Sequence, residues 1–447
     1  MDLLPPTTTT PLLRSTLHDR LVGCLVGSAL GDTIGLYTEF LSRPSVLAAY
    51  PSRTFTLLPT PTLSHPDLHR LSKPPAHWTD DTDHALLLVL AFLHTAHTAS
   101  PPPLPSQTDL AVRLRVWAQQ GLRALDTMPL GLGRLVGTVL ATKGFDVEPA
   151  RVAREAWEVG GRRVAPNGSL MRTHPLGVMC AWRGEEEAFA VAAEVSMVTH
   201  ADPRCVVACV IGTGLVRGLV RGEVRDEEEL RGVVERGRAW FVGGQGDGEE
   251  EVLDGEELRR HVEAESLEEL KLDEAEAIGY VYKALGSGVV VLHLAMRKMA
   301  EAEGGLLVRS KLFEKLITDL IMQGGDADTN ACFAGALLGA YLGYGSLPDH
   351  WKHGLKHGEW LLGKAEALSQ VMGLKTGKYN GQEDKDTLPD GGKGITQDEM
   401  EGRWMVLQAE VAKKMDEHAK ASSSKPAKGS GWHVSMPWQS DKKRAKK

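Results

Sequence analysis

The stretch Leu21-Val22-Gly23-Cys24-Leu25-Val26-Gly27-Ser28-Ala29-Leu30-Gly31-Asp32 decides the fold. Leu21, Leu25 and Leu30 recur at helical spacing, while Gly23, Gly27 and Gly31 fall four apart on one face. Each glycine inside a helix costs about 1 kcal/mol relative to alanine, so a stripe of three implies a second backbone packed very close. The same spacing returns at Gly335, Gly339 and Gly343. The two helices are predicted to pack against or near one another, which would bring Asp32, Glu39 and Asp326 into one neighbourhood.

Further apolar helical patterns run through Ala85–Leu93, Leu110–Leu125, Glu187–Val198 and Cys205–Val220. Strand-like alternation is scarce, so the chain is read as all-α. The prolines at Pro74-Pro75 and Pro101-Pro102-Pro103 punctuate helices rather than mark domain joints, because helical patterns resume on either side. With 447 residues, 42% apolar and 25% charged, the chain can bury a large core. Its uncharged stretches, Ala85–Thr108 and Thr329–Pro348, are broken by histidine, proline or glycine and read as buried helices, so no membrane span is expected. Met1–Pro11 lacks the basic-then-apolar order of a secretory signal, which points to a protein inside the cell. Five cysteines without CxxC spacing read as buried reduced thiols and argue against a zinc site. A net charge of −8 disfavours nucleic acid as a partner of the body.

Two segments differ in composition. Residues 221–276 are crowded with Glu, Arg and Gly and read as a solvated surface insertion with a glycine-rich loop around Gly243–Gly248. From about residue 376 the chain turns polar and is expected to be a disordered tail, ending in Lys442-Lys443-Arg444-Ala445-Lys446-Lys447. Those closing charges suit a nuclear address, an anionic docking patch or a plain solvating tail.

Chemistry is concentrated in two acid-rich segments, Thr79-Asp80-Asp81-Thr82-Asp83-His84 and Gly324-Gly325-Asp326-Ala327-Asp328-Thr329-Asn330, each running into an apolar helical pattern. Asp and Thr are ordinary helix caps, favoured by the free N–H groups and the positive end of the dipole. Several carboxylates in one loop nevertheless repel unless a positive charge sits among them. Two such loops meeting in the fold would form a split site for divalent cations. Oxygen donors without Cys or metal-spaced His select Mg²⁺ or Mn²⁺, less often Ca²⁺. Four or five carboxylates exceed what one Mg²⁺ takes, so two ions are expected. Asp83 and His84 follow the acid pair as either support for that site or a solvated helix face.

Read together, the motifs resemble a known family. Gly27-Ser28-Ala29-Leu30-Gly31-Asp32 with Gly35 and Glu39-Phe40 comes first, then Trp78-Thr79-Asp80-Asp81-Thr82, then Asn167-Gly168-Ser169-Leu170-Met171-Arg172 with Pro175-Leu176. Ser196–Pro203, Gly279-Tyr280-Val281, Gly324–Thr329 and Leu347-Pro348 with Trp351 follow. In that order they resemble the signatures of the ADP-ribosylglycohydrolases, over about Leu17–Leu374.

The resemblance implies a compact all-α single-domain bundle at residues 17–375, with a short N-terminal extension (1–16) and the tail (376–447) outside it. It implies a dinuclear magnesium cleft, Mn²⁺ being the alternative, that hydrolyses the bond at ribose C1″ of an ADP-ribosylated group. Thr79, Asp80, Asp81, Asp326, Asp328 and Thr329 match the family's metal ligands, and Glu39 its movable acidic residue. Asn167, Gly168, Ser169 and His200 fall in blocks that contact the diphosphate or ribose, and Gly131 and Gly133 could line the same wall. Either Glu39 or Asp326 would take the proton from water. Pro166 departs from the family, which often has glycine before the Asn. The expected partner is ADP-ribose or an ADP-ribosylated protein or small molecule, and a monomer is expected. Two rival readings are a non-catalytic ADP-ribose binder or structural member, and a magnesium-dependent phosphoester or nucleotide hydrolase.

Overall fold

In the computed structural model the first long helix, α1 (Pro11–Gly35), begins at Thr10, whose hydroxyl accepts from Leu13 N, with proline at its first position. The described residues are 10–99, 101–129, 131–244, 253–302, 305–394 and 397–422. They are 66% helix with no strand, so the architecture is all-α. The helices that position the site are numbered α1, α2 (Asp80–Thr95), α3 (Pro203–Arg221), α4 (Val281–Glu301), α5 (Leu306–Ile321) and α6 (Ala327–Leu342).

Helices α1 and α6 run antiparallel and touch backbone to backbone. A Cβ added at Gly23 would stand 2.3 Å from Gly339 O, at Gly27 2.5 Å from Gly335 O, and at Gly31 1.9 Å from Ala331 O. Gly35 extends the stripe one turn, against Ala327 O. The expected pairing of the glycine helices is therefore observed, with one difference. Gly343 lies just past the end of α6 as its cap, at φ +81°, and its backbone still closes the contact, a Cβ at Gly23 standing 2.8 Å from Gly343 C.

The opposite side of α6 presents Phe333, which fits where α3 and α4 carry Gly212 and Gly288; a Cβ there would lie 3.0 and 2.6 Å from its ring. Helix α3 is long and apolar enough to cross a membrane, but its apolar window is 94% buried inside the bundle. Its N-terminus is capped by Asp202 and its C-terminus closes on Gly222 in the left-handed region. All five cysteines are buried and unpaired.

Two expectations about the periphery differ from what the structure shows. Within 221–276, Glu227–Gly244 buries Leu230, Val233, Val234 and Phe241, and Gly237 meets Val210 and Ile211 of α3. Leu258 and Val262 of Gly255–Val262 are buried too. This region is a packed layer of the bundle: its charges hide an apolar stripe at helical spacing. Residues 245–252, most of the glycine-rich loop, lie outside the described residues.

Order also continues past residue 376. Thr387 is fully buried, its carbonyl accepts from Arg113 Nη1 at 2.8 Å, and Lys364 pairs with Asp384 and Asp386 at 2.6 and 2.9 Å. A helix, Gln397–Ser422, follows. Arg403 Nη2 donates to Asp126 O at 2.8 Å, and Lys414 Nζ to Leu71 O at 3.1 Å. Polar bonds hold this segment, which is why apolar periodicity does not reveal it. The basic end, 442–447, lies outside the described residues.

The seam predicts opposite signs for one substitution. Gly339→Ala places a methyl 1.9 Å from Gly23 O and is expected to cost about 3 kcal/mol or more. Gly363→Ala, in an exposed helix position with open space around it, is expected to gain up to about 1 kcal/mol. Urea denaturation midpoints of the two variants check both.

Candidate metal centre and its cleft

The antiparallel seam places the last turn of α1 beside the first turn of α6. Asp32 leaves α1 there, fully buried, and its carboxylate holds the start of α2. It accepts from Thr79 N at 3.0 Å, Thr82 N at 3.0 Å and Thr82 Oγ1 at 2.6 Å. Asp32 was placed in this neighbourhood by the glycine spacing but not among the expected ligands. Its signal was the Gly31-Asp32 step at the end of the stripe.

Around it the two acid loops meet. Asp32, Asp81 and Asp328 each offer an oxygen within 4.8 Å of the others, and so do Glu39, Asp326 and Asp328. Asp328 belongs to both groups and links them. Thr79 caps α2 and donates to Asp81 Oδ2 at 2.9 Å, whereas Asp81 Oδ1 is buried with no hydrogen-bond partner among the described residues. Asp80 is half-buried on the cleft wall, outside both groups, and Thr329 lines the same wall. A buried, unpartnered carboxylate oxygen on one of two acid triads linked by Asp328 is the donor set of a hard divalent cation, so these residues fit the metal the resemblance implies.

The electrostatics point the same way. Burial, then the charges of Asp32, Asp80 and Asp326, hold Asp81 well above the ordinary carboxylate range. Asp328 is raised likewise by burial, Glu39 and Asp81, and Asp326 is pushed up to about 6 by burial and Glu39.

Glu39 behaves oppositely: burial pushes it up, but His69, Lys73 and Arg70 outweigh burial and leave it below the usual value. Its Oε2 meets His69 Nε2 at 2.5 Å. Arg70 pins the turn before it by donating to Leu36 O at 2.9 Å, Tyr37 O at 3.1 Å and the Glu39 carbonyl. Burial draws the Lys73 ammonium down, yet Glu39, Asp80, Asp328 and Asp32 hold it above its ordinary value. These three bases were missed in the sequence, where a short helix between Pro-rich turns carries no periodic signal. On the other side, Phe40 N donates to Gly325 O at 2.6 Å and Gly325 N to Leu41 O at 3.0 Å, tying the Glu39 turn to the second acid loop. Gly324 and Gly325 sit at φ +74° and +75°, and Cβ atoms there would strike Leu41 O and Leu272 O.

A cavity of about 550 Å³ opens from the carboxylates, within the range of about 300–1,000 Å³ typical of ligand pockets. Asn167, Gly168 and His200 line it, as do Gly131 and Gly133. Asn167 Nδ2 donates to Asp326 Oδ2 at 2.8 Å, and its backbone is held by Gly279 O at 3.0 Å. Gly131, at φ +116°, has no room for a Cβ, which would lie 2.1 Å from Asp80 Oδ1. Ser169 does not face the cleft. It is fully buried, with its hydroxyl 3.1 Å from Ser196 Oγ and 3.3 Å from Cys209 Sγ. Asp83 points into the core as well, accepting from Trp78 and Trp117 Nε1 at 2.8 and 2.9 Å, and His84 packs edge-on to Trp117.

Fold and site together define an all-helical protein whose cleft carries a split acid centre. A family model for ADP-ribosylglycohydrolase matches residues 13–378, and the chain belongs to that family. An uncharacterized protein of Archaeoglobus fulgidus is 24% identical over 356 residues, 79% of this chain and 97% of its own length. A solved structure described as an ADP-ribosylglycohydrolase-related protein complex shares the fold with TM-score 0.51 and 24% identity, covering 80% of this chain and 99% of its own.

The crowded acids give a stability prediction. Folding raises the pKa of Asp81, so the folded chain binds that proton more tightly than the unfolded chain, and stability falls as pH rises from the ordinary aspartate range through the raised value. In EDTA, Asp81→Asn is therefore expected to melt higher than the unaltered protein, by a margin that grows as pH rises above the ordinary aspartate range. With Mg²⁺ or Mn²⁺ in excess the order is expected to reverse, because the variant gains less from the ion. Thermal melts across pH, with and without metal, check both.

Proposed function

We propose that the protein hydrolyses the glycosidic bond at ribose C1″ of an ADP-ribosylated acceptor, releasing ADP-ribose. The observation that carries the reading is the meeting of Glu39, Asp326 and Asp328 at the base of a cleft walled by Asn167, Gly168 and His200. Thr79, Asp80, Asp81, Asp326, Asp328 and Thr329 would hold two divalent cations, with Asp32 behind them. When bound, such ions neutralise the carboxylates and favour a water and the ribose hydroxyls in place for an oxocarbenium-like transition state.

The chain's own groups then divide the work. The C1″–acceptor bond breaks with its electron pair leaving on the acceptor, while a water oxygen bonds to C1″ and releases a proton. Glu39 suits that proton, since His69, Lys73 and Arg70 keep it ionised, and the proton passes on to the departing acceptor. Asp326 accepts from Asn167 Nδ2 through Oδ2 and so orients that amide. Gly168 would let the diphosphate approach the backbone closely, and Asn167, whose backbone N–H is bonded to Gly279 O, has its second amide hydrogen to offer.

Release of ADP-ribose from arginine-linked, serine-linked and O-acetyl substrates, with Mg²⁺ or Mn²⁺ and then with EDTA, tests the reading. Metal-dependent release from one of them is expected. AMP or inorganic phosphate as product would overturn it in favour of phosphoester chemistry. No release, with ADP-ribose still bound, would make the protein a binder. Asp80→Ala and Asp328→Ala are each expected to lower turnover more than ~100-fold with the helical circular dichroism unchanged, beyond the loss of about 10–100-fold typical of a group that only supports a ligand. Full activity in either variant would remove that residue from the metal set. Glu39→Gln is expected to lose turnover while keeping ADP-ribose affinity.

A further inference from the structure

Behind the cleft wall, the Asn167–Arg172 turn ends on a guanidinium that is fully buried. Among the described residues no carboxylate pairs with Arg172. Its Nη2 donates to Val195 O at 3.0 Å and to Thr199 Oγ1 at 2.8 Å, while Nε and Nη1 have no partner among the described residues. A guanidinium only donates, so the Thr199 oxygen must accept from it. The same oxygen lies 2.7 Å from His200 Nδ1.

The direction of that second bond follows from counting protons. If His200 carried its proton on Nδ1, Thr199 would accept twice and its own hydroxyl proton would be left buried, an unmet donor that costs free energy. If the Thr199 hydroxyl donates instead, Nδ1 accepts, and neither the hydroxyl proton nor the ring nitrogen is left unmet. The imidazolium, which would donate from both nitrogens, is disfavoured because burial and the Arg172 charge hold His200 well below its ordinary pKa. The Nε2–Cε1 edge of the ring faces Gly168, where an added Cβ would lie 3.1 Å from both atoms, and His200 lines the cleft.

We propose that Arg172, acting through Thr199, locks His200 as the neutral tautomer protonated on Nε2, so that the cleft presents a fixed N–H donor to an acceptor oxygen of the bound ligand. Arg172 and Thr199 are positioning residues in this relay, and His200 is the group that meets the ligand. Naming that ligand as ADP-ribose rests on the function proposed above; the tautomer does not.

Two measurements on the full chain separate the parts. Two-bond ¹H–¹⁵N correlation of histidine-labelled protein, with the His200 signals assigned by their loss in His200→Gln, is expected to show Nε2 protonated and Nδ1 as acceptor. A proton on Nδ1, or on both nitrogens near neutral pH, overturns the relay. In calorimetric titration with ADP-ribose, Thr199→Val is expected to weaken binding about tenfold, the scale of one lost hydrogen bond. Its His200 signals are expected to lose the single-tautomer pattern, and Thr199→Ser to restore both. Unchanged affinity in Thr199→Val overturns the donor role even where the tautomer is confirmed. If the unaltered protein binds no ADP-ribose, the functional reading and the donor role for that ligand fall together, and the resonance experiment still decides the relay. Should Thr199→Val not fold, the unaltered protein's tautomer and the Thr199→Ser affinity decide; a tenfold loss in the serine variant counts against the relay.

Discussion

The backbone contact between α1 and α6 is the constraint on which the rest of the structure depends. Four successive turns of α1 meet α6 without a side chain between them, so the two axes cannot slide or separate without losing the whole seam. An antiparallel seam of that length sets the end of one helix against the start of the other. Asp32 thus stands where a carboxylate is ordinarily unwelcome, at the negative end of a helix dipole. The N–H groups at the start of α2 offset this by donating to it, and in doing so bring the first acid loop to the second.

That convergence has an electrostatic cost the fold meets only in part. The starts of α2 and α6 present positive dipole ends to Asp80, Asp81 and Asp328, yet burial and mutual repulsion still hold these groups above the ordinary range. Glu39, in the same crowd, is held down because His69, Lys73 and Arg70 flank it. The difference is one of degree: His69, Lys73 and Arg70 together outweigh burial at Glu39, whereas Lys73 does not outweigh it at Asp80. A divalent ion would supply the positive charge that Asp81 and Asp328 still need.

Residue patterns carried the helical class, the pairing of the glycine helices and the acid loops, because each has a local signature: a stripe of costly glycines, a repeat of apolar positions, carboxylates ahead of an apolar run. What stayed hidden is non-local. Ser169 reads as a hydroxyl beside a glycine in a phosphate-like turn, and only packing shows that turn rolling its hydroxyl toward Cys209. His69, Arg70 and Lys73 act on Glu39 from a segment about thirty residues away in sequence, with nothing periodic to announce them. In 221–276 the charges were conspicuous and the apolar stripe beneath them was not.

The chain beyond residue 378, where the family match ends, is attached to loops that lead into the segments around the acid centre. Its first part is sewn to the body by Asp384 and Asp386 on Lys364. Its last helix then spans two loops: Arg403 holds the carbonyl of Asp126, a few residues before Gly131, and Lys414 holds that of Leu71, between Arg70 and Lys73. Loops with few buried apolar side chains owe their order to hydrogen bonds of this kind. The added helix therefore holds, by their carbonyls, the two segments that lead to Gly131 beside Asp80 and to Lys73 beside Glu39.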